Sequence, residues 1–377
     1  PLGNTRGGLH FLLAIKSMFL NAKQNIMVLF IIIALTFASV FSVVLYYNIA
    51  SDKTAFINLF GTEPGNVMVS VKSETDTRKL LGNIEKMDYV RKVNINDFIT
   101  TKIDDHAVYT NITDDYKDFE NNVIYKGRQP KHENEISISW VVSEQIDKGI
   151  GDTVEVEYGT EKVSFLITGL SQSIGNLGQI AALTMDGLQQ LSSDYNGTTL
   201  YVYLDGISNK KFTETVLERY GDSIVDTLDI DETIESQTRM YTGAVFAVMV
   251  IVLTITVLVV VMILYLVIKT MIIKRKKEFG VLKAVGYSTI QLMHQISIGF
   301  VPVMVIGVAI GGVLGYFFTN PMLSVLLSSA GVKRLDFTIH LPIILILCTG
   351  LLILAYIVSL FVSLKIKKIT AYSLITE

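Results

Sequence analysis

No residue between Lys23 and Asp52 carries a charge, nor any between Arg239 and Lys269 or between Asp336 and Lys365. A fourth stretch, Ala284 to Val332, holds only His294. This spacing constrains the fold more than any other feature of the chain. A bilayer core about 30 Å thick needs roughly 20 apolar residues at about 1.5 Å each, and every one of these runs supplies them. Buried helices of water-soluble domains seldom go so far without a charge, and the mean hydropathy of +0.46 agrees. The first run does not read as a secretory signal. Its apolar core, Ile26 to Tyr47, exceeds the roughly 7–15 residues of such a signal, and no small-x-small site closes it early.

The sequence therefore predicts a membrane α-helical protein with four spans, and an α+β extracytoplasmic domain inserted between the first and the second. The expected spans are 26–50, 240–268, 295–318 and 340–364. Around them fall an amphipathic segment over 1–25, the inserted domain at 51–239, a basic segment at 269–294, a short outer loop at 319–339 and a tail at 365–377. The first residues, Pro1-Leu2-Gly3, read as a cleavage scar or the edge of an excised segment, so the chain can be a whole subunit or part of something longer.

Charge sets the orientation. Arg6, Lys16 and Lys23 precede the first span, six basic residues from Lys269 to Lys283 follow the second, and Lys365, Lys367 and Lys368 follow the fourth. Against them stand only Glu278 and Glu377, so the positive-inside rule places both termini and the 269–294 segment in the cytoplasm. The segment 51–239 then lies outside, with 18 Lys and Arg against 32 Asp and Glu, a net charge of −14. That charge could steer cationic peptides or simply keep the domain soluble. No nucleic-acid partner is expected.

Within the inserted domain, Thr153 to Tyr158 and Val163 to Thr168 alternate apolar and polar residues around Gly159-Thr160-Glu161-Lys162, the pattern of a hairpin. Asn66 to Lys72 and Thr199 to Leu204 read as strands. Thr75 to Met87, with Leu80, Leu81 and Ile84 on one face, and Asn209 to Tyr220 read as helices. The prediction is a two-layer domain, possible in two lobes. Cys348, the single cysteine, sits in the last apolar run, so no intrachain disulfide supports this domain.

Catalytic chemistry is hard to place on this chain. The five histidines are scattered, and no H-E-x-x-H, C-x-x-C or EF-hand loop occurs. Asp104-Asp105-His106 could hold a cation but reads better as a solvated acidic loop. Asn111-Ile-Thr113 and Asn196-Gly-Thr198 fit the glycosylation sequon, which short polar loops match by chance. No enzyme activity, metal or cofactor is expected in the chain itself. No span carries Asp, Glu, Lys or Arg in its core, which argues against an ion-coupled transporter.

Two patterns in the membrane half carry more. Gly307, Gly311 and Gly315 fall at four-residue spacing and form a flat stripe, either a seam to a second copy or a packing surface within the four helices. In the basic segment, Lys276, Lys277, Glu278 and Lys283 are expected on polar faces and Phe279, Val281, Leu282 and Val285 on an apolar one, with Gly286 as the helix stop and Ser288 starting the next element. Such a segment could rest on anionic lipid headgroups or dock a soluble partner.

Lys276-Lys-Glu-Phe-Gly-Val-Leu-Lys-Ala-Val-Gly286, just after the second span, resembles the signature of FtsX-like and MacB-like ABC permeases. Gly127-Arg-Gln-Pro130, Asn134-Glu-Ile136, Gly151-Asp-Thr-Val154 and Ile167-Thr-Gly-Leu170 are similar, in order, to the MacB-like outer domain, and the arrangement of one helix, a large domain and three helices matches as well. The tail, Thr370 to Ile375, lacks the Pro and terminal Leu-Arg pair common in the family.

The resemblance implies a permease subunit, or half-permease, of an exporter or mechanotransmission complex in a bacterial cell membrane. A separate ATPase subunit would bind ATP and Mg, since the chain has no G-x-x-x-x-G-K-[ST]. Lys276, Lys277, Glu278, Phe279, Gly280, Leu282, Lys283, Ala284 and Gly286 would then contact that ATPase. A second permease copy or other half would pair with this one, and Leu9 to Asn21 would lie on the inner leaflet. The outer domain would meet an adaptor, a peptide or a hydrolase; a regulatory scaffold that activates a cell-wall hydrolase or senses antimicrobial peptides is the alternative.

Overall fold

The computed structural model describes residues 22–50, 63, 65–119, 121, 123–335 and 337–368. The amphipathic stretch expected at Leu9 to Asn21 and the tail from Thr370 lie outside these residues. Four described helices are long and apolar enough to cross a membrane. They are α1 (Ala22–Ala50), α6 (Ile230–Lys274), α8 (Thr289–Ser328) and α9 (Leu341–Ser363), and a short helix, α7 (Lys276–Ala284), stands between α6 and α8. The chain divides into two compact units, one built from the membrane helices and the other from residues 48–242 with 320–337.

The inserted unit is built on β1 (Val67–Val71), β2 (Val90–Ile103), β3 (His106–Thr113), β4 (Ile124–Gly127), β5 (Glu135–Ser139), β6 (Thr153–Tyr158), β7 (Glu161–Ser171), β8 (Ile180–Thr184), β9 (Thr199–Leu204) and β10 (Ile224–Asp229). The strands form one sheet in the order β10-β1-β9-β2-β3-β8-β5-β7-β4, with β6 pairing β2 and β7. The 14-residue β2 links its two parts: Val90 to Ile95 pair with β9, and Asn96 to Ile103 pair with β3. At the crossover, Asp97 is 2% exposed and accepts hydrogen bonds from Tyr195 Oη at 2.7 Å, Thr198 N at 2.7 Å and Thr198 Oγ1 at 3.2 Å, so this buried carboxyl has its acceptors satisfied. The two lobes suggested by the sequence are thus two parts of one sheet.

The expected hairpin is present but tighter. Tyr158 pairs with Glu161 across a two-residue turn in which Gly159 takes φ +65°, the conformation such turns need at their first position. Glu161 and Lys162, expected in the turn, belong to the returning strand.

Helices α2 (Thr77–Ile84), α3 (Trp140–Ile146), α4 (Met185–Gln189) and α5 (Asn209–Tyr220) each start on a side-chain cap. Asp76, Ser139, Thr184 and Ser208 accept the N–H of Lys79, Val142, Gly187 and Lys211 in turn, satisfying donors that a helix start leaves open. Leu80 and Ile84 of α2 enter the same core as Val69, Ile112, Ile136, Phe165 and Phe212.

Helix α6 has 45 residues, about 68 Å at the usual rise, and contains the expected span 240–268 without a break. Its first turn is fixed to the sheet. Ile230 N donates to Asn66 O at 3.0 Å, Asn66 Nδ2 and Asn209 Nδ2 both donate to Asp231 Oδ2 at 2.8 Å, and Ile230 packs on Tyr201 and Tyr203. Helix α8 likewise outruns its expected bounds and is helical to Ser328, so the outer loop read from 319 begins only after that residue.

Candidate functional site

The basic segment is where helix geometry and charge combine. Helix α6 ends at Lys274, and Arg275 leaves the helical conformation with φ −106° and ψ 22° before α7 begins. Arg275 Nε donates to Glu278 Oε2 at 2.8 Å, and its guanidinium lies 5.6 Å from the Phe279 ring centroid. Gly286, at φ +100°, ends α7: its N–H bonds to Lys283 O at 3.1 Å and that of Tyr287 to Leu282 O at 3.0 Å, the paired bonds of a Schellman stop. Ser288 and Gln291 then cap α8 reciprocally, Gln291 N to Ser288 Oγ at 3.2 Å and Ser288 N to Gln291 Oε1 at 2.8 Å.

The single apolar face expected for α7 is divided. Phe279 is 2% exposed and packs into the membrane-helix core with Ile272, Leu292 and Ile366, and Leu282 rests against the same cluster. Val281 and Val285 instead are 59% and 74% exposed. At about 100° per residue, Val281 and Val285 fall roughly 160° and 120° away from Phe279, with Leu282 on the flank between them, so the four apolar residues spread over an arc of about 160° and only its Phe279 edge is buried. Gly280 is buried, Lys276 and Leu282 are half-buried, and Lys277, Glu278, Ala284 and Gly286 are exposed. Lys283 is tied down through Nζ to Ile366 O at 2.9 Å. The segment is anchored on one side and presents Val281, Ala284 and Val285 on the other.

The glycine stripe faces α1. A Cβ on Gly307 would come within 2.8 Å of Ile32 Cγ2, on Gly311 within 2.6 Å of Thr36 Cβ, and on Gly315 within 2.5 Å of Val40 Cγ1. These three glycines let α1 and α8 of the same chain approach closely.

In the inserted unit, the four quoted motifs converge on one structural knot. Arg128 donates two hydrogen bonds to Glu135, Nη1 to Oε2 and Nη2 to Oε1, each at 2.6 Å, and the N–H of Lys131 adds a third at 2.9 Å. The Arg128 hydrogen bonds hold the Glu135 carboxyl at about 2, against the opposing effect of burial. Arg128 N bonds to Thr168 O, Leu166 N to Asn134 O and Gly151 N to Ile167 O. Gly127 and Gly169 pack backbone against backbone where a Cβ would collide. The motifs secure β4, β5 and β7 and carry no reactive group.

The loop after α8 makes contacts that the sequence did not signal, where Lys333 and Arg334 counted only as charges. Trp140 Nε1 donates to Gly331 O at 2.9 Å, and Gly331, at φ +99°, packs against Gly178. The Gln172 side chain accepts the N–H groups of Lys333 and Arg334 at 3.0 and 2.9 Å and donates to Arg334 O at 2.8 Å. Lys333 sits 4.4 Å from the Trp140 ring centroid and 3.1 Å from Glu144 Oε1.

The expected acidic loop is a two-residue turn with Asp104 and Asp105 both at positive φ. Asp104 is engaged by Lys148 Nζ at 2.5 Å and Glu155 N at 3.1 Å; burial opposes these bonds, yet they keep its carboxyl below the usual range. Asn111, the first sequon residue, is half-buried in β3 and donates to Asp97 O, so it is committed to the sheet. Among the described residues no three His, Cys, Asp or Glu side chains group closely enough to hold a metal ion. A cleft of about 300 Å³ opens beside the stacked rings of Phe98 and Tyr109, with Ala182, Ser137 and Ser171 along it.

Residues 250–371 match the family model described as FtsX-like permease C-terminal. The match is to an FtsX-like permease domain and covers roughly a third of the chain. The matched residues take in the last part of α6, the basic segment, the glycine stripe and α9. The chain is also similar to the crystal structure of the periplasmic region of MacB from Actinobacillus actinomycetemcomitans, at 15% identity over 50% of this chain and 98% of that one, with a TM-score of 0.33. A second similar structure is the extracellular domain of the noncanonic ABC-type transporter YknZ from Gram-positive bacteria, at 13% identity over 42% of this chain and all of that one, with a TM-score of 0.32. Comparison with the curated proteins finds no match.

Proposed function

We propose that this chain is the permease subunit, or one half of the permease, of an ABC-type exporter or mechanotransmission complex. A separate ATPase subunit binds ATP and Mg, both termini are on the cytoplasmic side of a bacterial cell membrane, and α7 contacts that subunit. The observation that supports this most is the build of α6 and α7. One unbroken helix of 45 residues is hydrogen-bonded into the sheet at its first turn and is followed directly by a short, anchored helix with exposed Val281 and Val285. A rigid helix transmits displacement along its axis, and an exposed apolar pair on an anchored helix suits a groove in a partner. A second permease copy or half completes the complex in this reading.

Val285→Asp places a charge at the centre of the proposed contact without touching a buried residue. Co-purification of the ATPase with the permease should fall at least tenfold, and permease-stimulated ATP hydrolysis with it. Unchanged co-purification and unchanged stimulation would remove α7 from the coupling role.

The acidic inserted unit supports a second reading, in which it captures a cationic peptide or an enzyme and the complex acts as a sensor or hydrolase regulator. Pull-down on the full chain, with cationic peptides as bait and acidic peptides as control, separates that reading from export of an uncharged cargo.

A further inference from the structure

The membrane-helix unit contains a groove that its own side chains do not fill. It has a volume of about 340 Å³ and runs between α6, α8 and α9, with Leu264, Phe300, Met304 and Leu352 along it. Two of its lining residues do not suit an apolar groove. Ser297 and Ser359 are 1% and 2% exposed, and the hydroxyl of neither has a hydrogen-bond partner. Hydroxyls on apolar helices ordinarily return to a carbonyl one turn back, as Thr254, Thr270 and Thr319 do here. An unmade bond at a buried hydroxyl is unfavourable, so these two donors point to a partner with acceptor oxygens.

A second observation bears on the polarity of that occupant. Lys365 Nζ donates to Tyr265 Oη at 2.8 Å and lies 4.0 Å from the ring centroid, while Lys269 Nζ lies 5.7 Å from the same centroid. Two ammonium groups from different helices thus converge on one phenol. Both lysines are exposed, and among the described residues neither makes a salt bridge. Like charges brought this close repel, and an anion between them would turn that repulsion into attraction.

The helix directions place the two features in series. Helix α9 carries Leu352 and then Ser359 and ends at Ser363, and the 3₁₀ turn Leu364–Lys368 that follows carries Lys365; α6 reaches Lys269 five residues after Leu264. Helix α8 starts at the same basic end, so Ser297 lies nearer the lysines than Met304 does. From the basic end inward the order is therefore cations, hydroxyls, hydrocarbon. That is the order of phosphate, ester carbonyls and acyl chain in a glycerophospholipid.

We infer that the groove and the Lys269–Tyr265–Lys365 cluster together hold one anionic phospholipid from the leaflet on the basic side. Its phosphate lies on the two ammonium groups, its ester carbonyls accept from Ser297 and Ser359, and one acyl chain lies along Phe300 and Met304. The site is independent of α7 and of any ATPase.

The full chain, stripped of lipid in detergent, is titrated with phosphatidylglycerol or with phosphatidylcholine of the same acyl chains, and bound lipid is read by native mass spectrometry. One phosphatidylglycerol per chain should bind at least tenfold tighter than phosphatidylcholine. Lys269→Gln with Lys365→Gln should erase that preference, and Tyr265→Phe, which keeps the ring, should reduce it. Val305→Trp, made at an exposed groove residue, should weaken both lipids alike. Inorganic phosphate alone should not displace the lipid. Equal affinity for the two lipids, an unchanged preference in the lysine variant, or full displacement by inorganic phosphate would each overturn the proposal. Thermal unfolding of each variant confirms that the chain remains folded.

Discussion

Trp140 donates its indole N–H to the carbonyl of Gly331 across 191 residues of chain, and the same glycine carbonyl accepts the N–H of Ser173 at 3.2 Å. One backbone oxygen thereby joins α3, the end of β7 and the loop that follows α8. The close approach depends on the glycine, because φ +99° is strained for any L side chain and a Cβ would run into Ser173 O and Gly178. Gly331→Val should destabilise the inserted unit by about 2 kcal/mol or more, from backbone strain and overpacking together. Trp140 is the only tryptophan, so its fluorescence reports the change at the site itself. A variant with wild-type emission and wild-type unfolding temperature would show that the loop is not held there.

The Arg128–Glu135 pair makes a pH-dependent contribution whose sign is fixed. The Glu135 carboxyl is held at about 2 in the folded protein against 4.5 as its ordinary value. Its contribution is therefore present above about pH 4.5 and is lost as pH falls from there toward 2. Arg128→Ala leaves a nearly buried carboxylate without its main partner and should cost about 3 kcal/mol at pH 7. The deficit should shrink as pH drops and Glu135 takes up its proton. Unfolding measured at pH 7 and pH 3.5 gives the comparison; an equal deficit at both values would contradict this account.

Much of the fold was legible in the sequence because burial in lipid and sheet alternation leave strong, local patterns. The four apolar runs are the four long helices, and Thr199–Leu204 and Asn209–Tyr220 are a strand and a helix at those residues. The exact ends of α6 and α8 were not legible, because a helix does not stop where its residues become polar; Ile230 to Arg239 is helical although it carries Asp231, Glu232, Glu235 and Arg239. The clasp at Gly331 could not be read either, since its partners lie more than 150 residues away and act largely through backbone atoms. The division of α7 was accessible in principle: the angular positions of Phe279 and Val281 follow from their spacing alone.

The glycine stripe allows a direct steric test. Gly315→Val would drive a side chain into Val40, whose Cγ1 already stands 2.5 Å from the Cβ position. Overpacking of this kind costs about 1–3 kcal/mol, and here both partners are on helices with little freedom to move apart. Gly350, which has nothing within 4 Å of its Cβ position, is the control. Gly315→Val should lower the unfolding temperature in detergent and Gly350→Ala should not. Equal behaviour of the two would mean that α1 and α8 can separate at no cost.

The two faces of α7 should respond differently to truncation, and that difference separates anchoring from contact. Phe279→Ala removes a 2% exposed ring from the cluster with Ile272, Leu292 and Ile366, which should cost about 3–5 kcal/mol locally and free α7 from the helices beneath it. Val285→Ala removes two methyl groups that are 74% exposed and should leave stability within about 0.5 kcal/mol of wild type. Hydrogen exchange over residues 276–286 should therefore rise in Phe279→Ala and stay unchanged in Val285→Ala. If α7 is a docking helix, both variants nevertheless weaken the ATPase partner's binding, one by losing the helix position and the other by losing a contact. Faster exchange in Val285→Ala would mean that this side chain packs within the chain, and the exposed face would lose its claim to a partner.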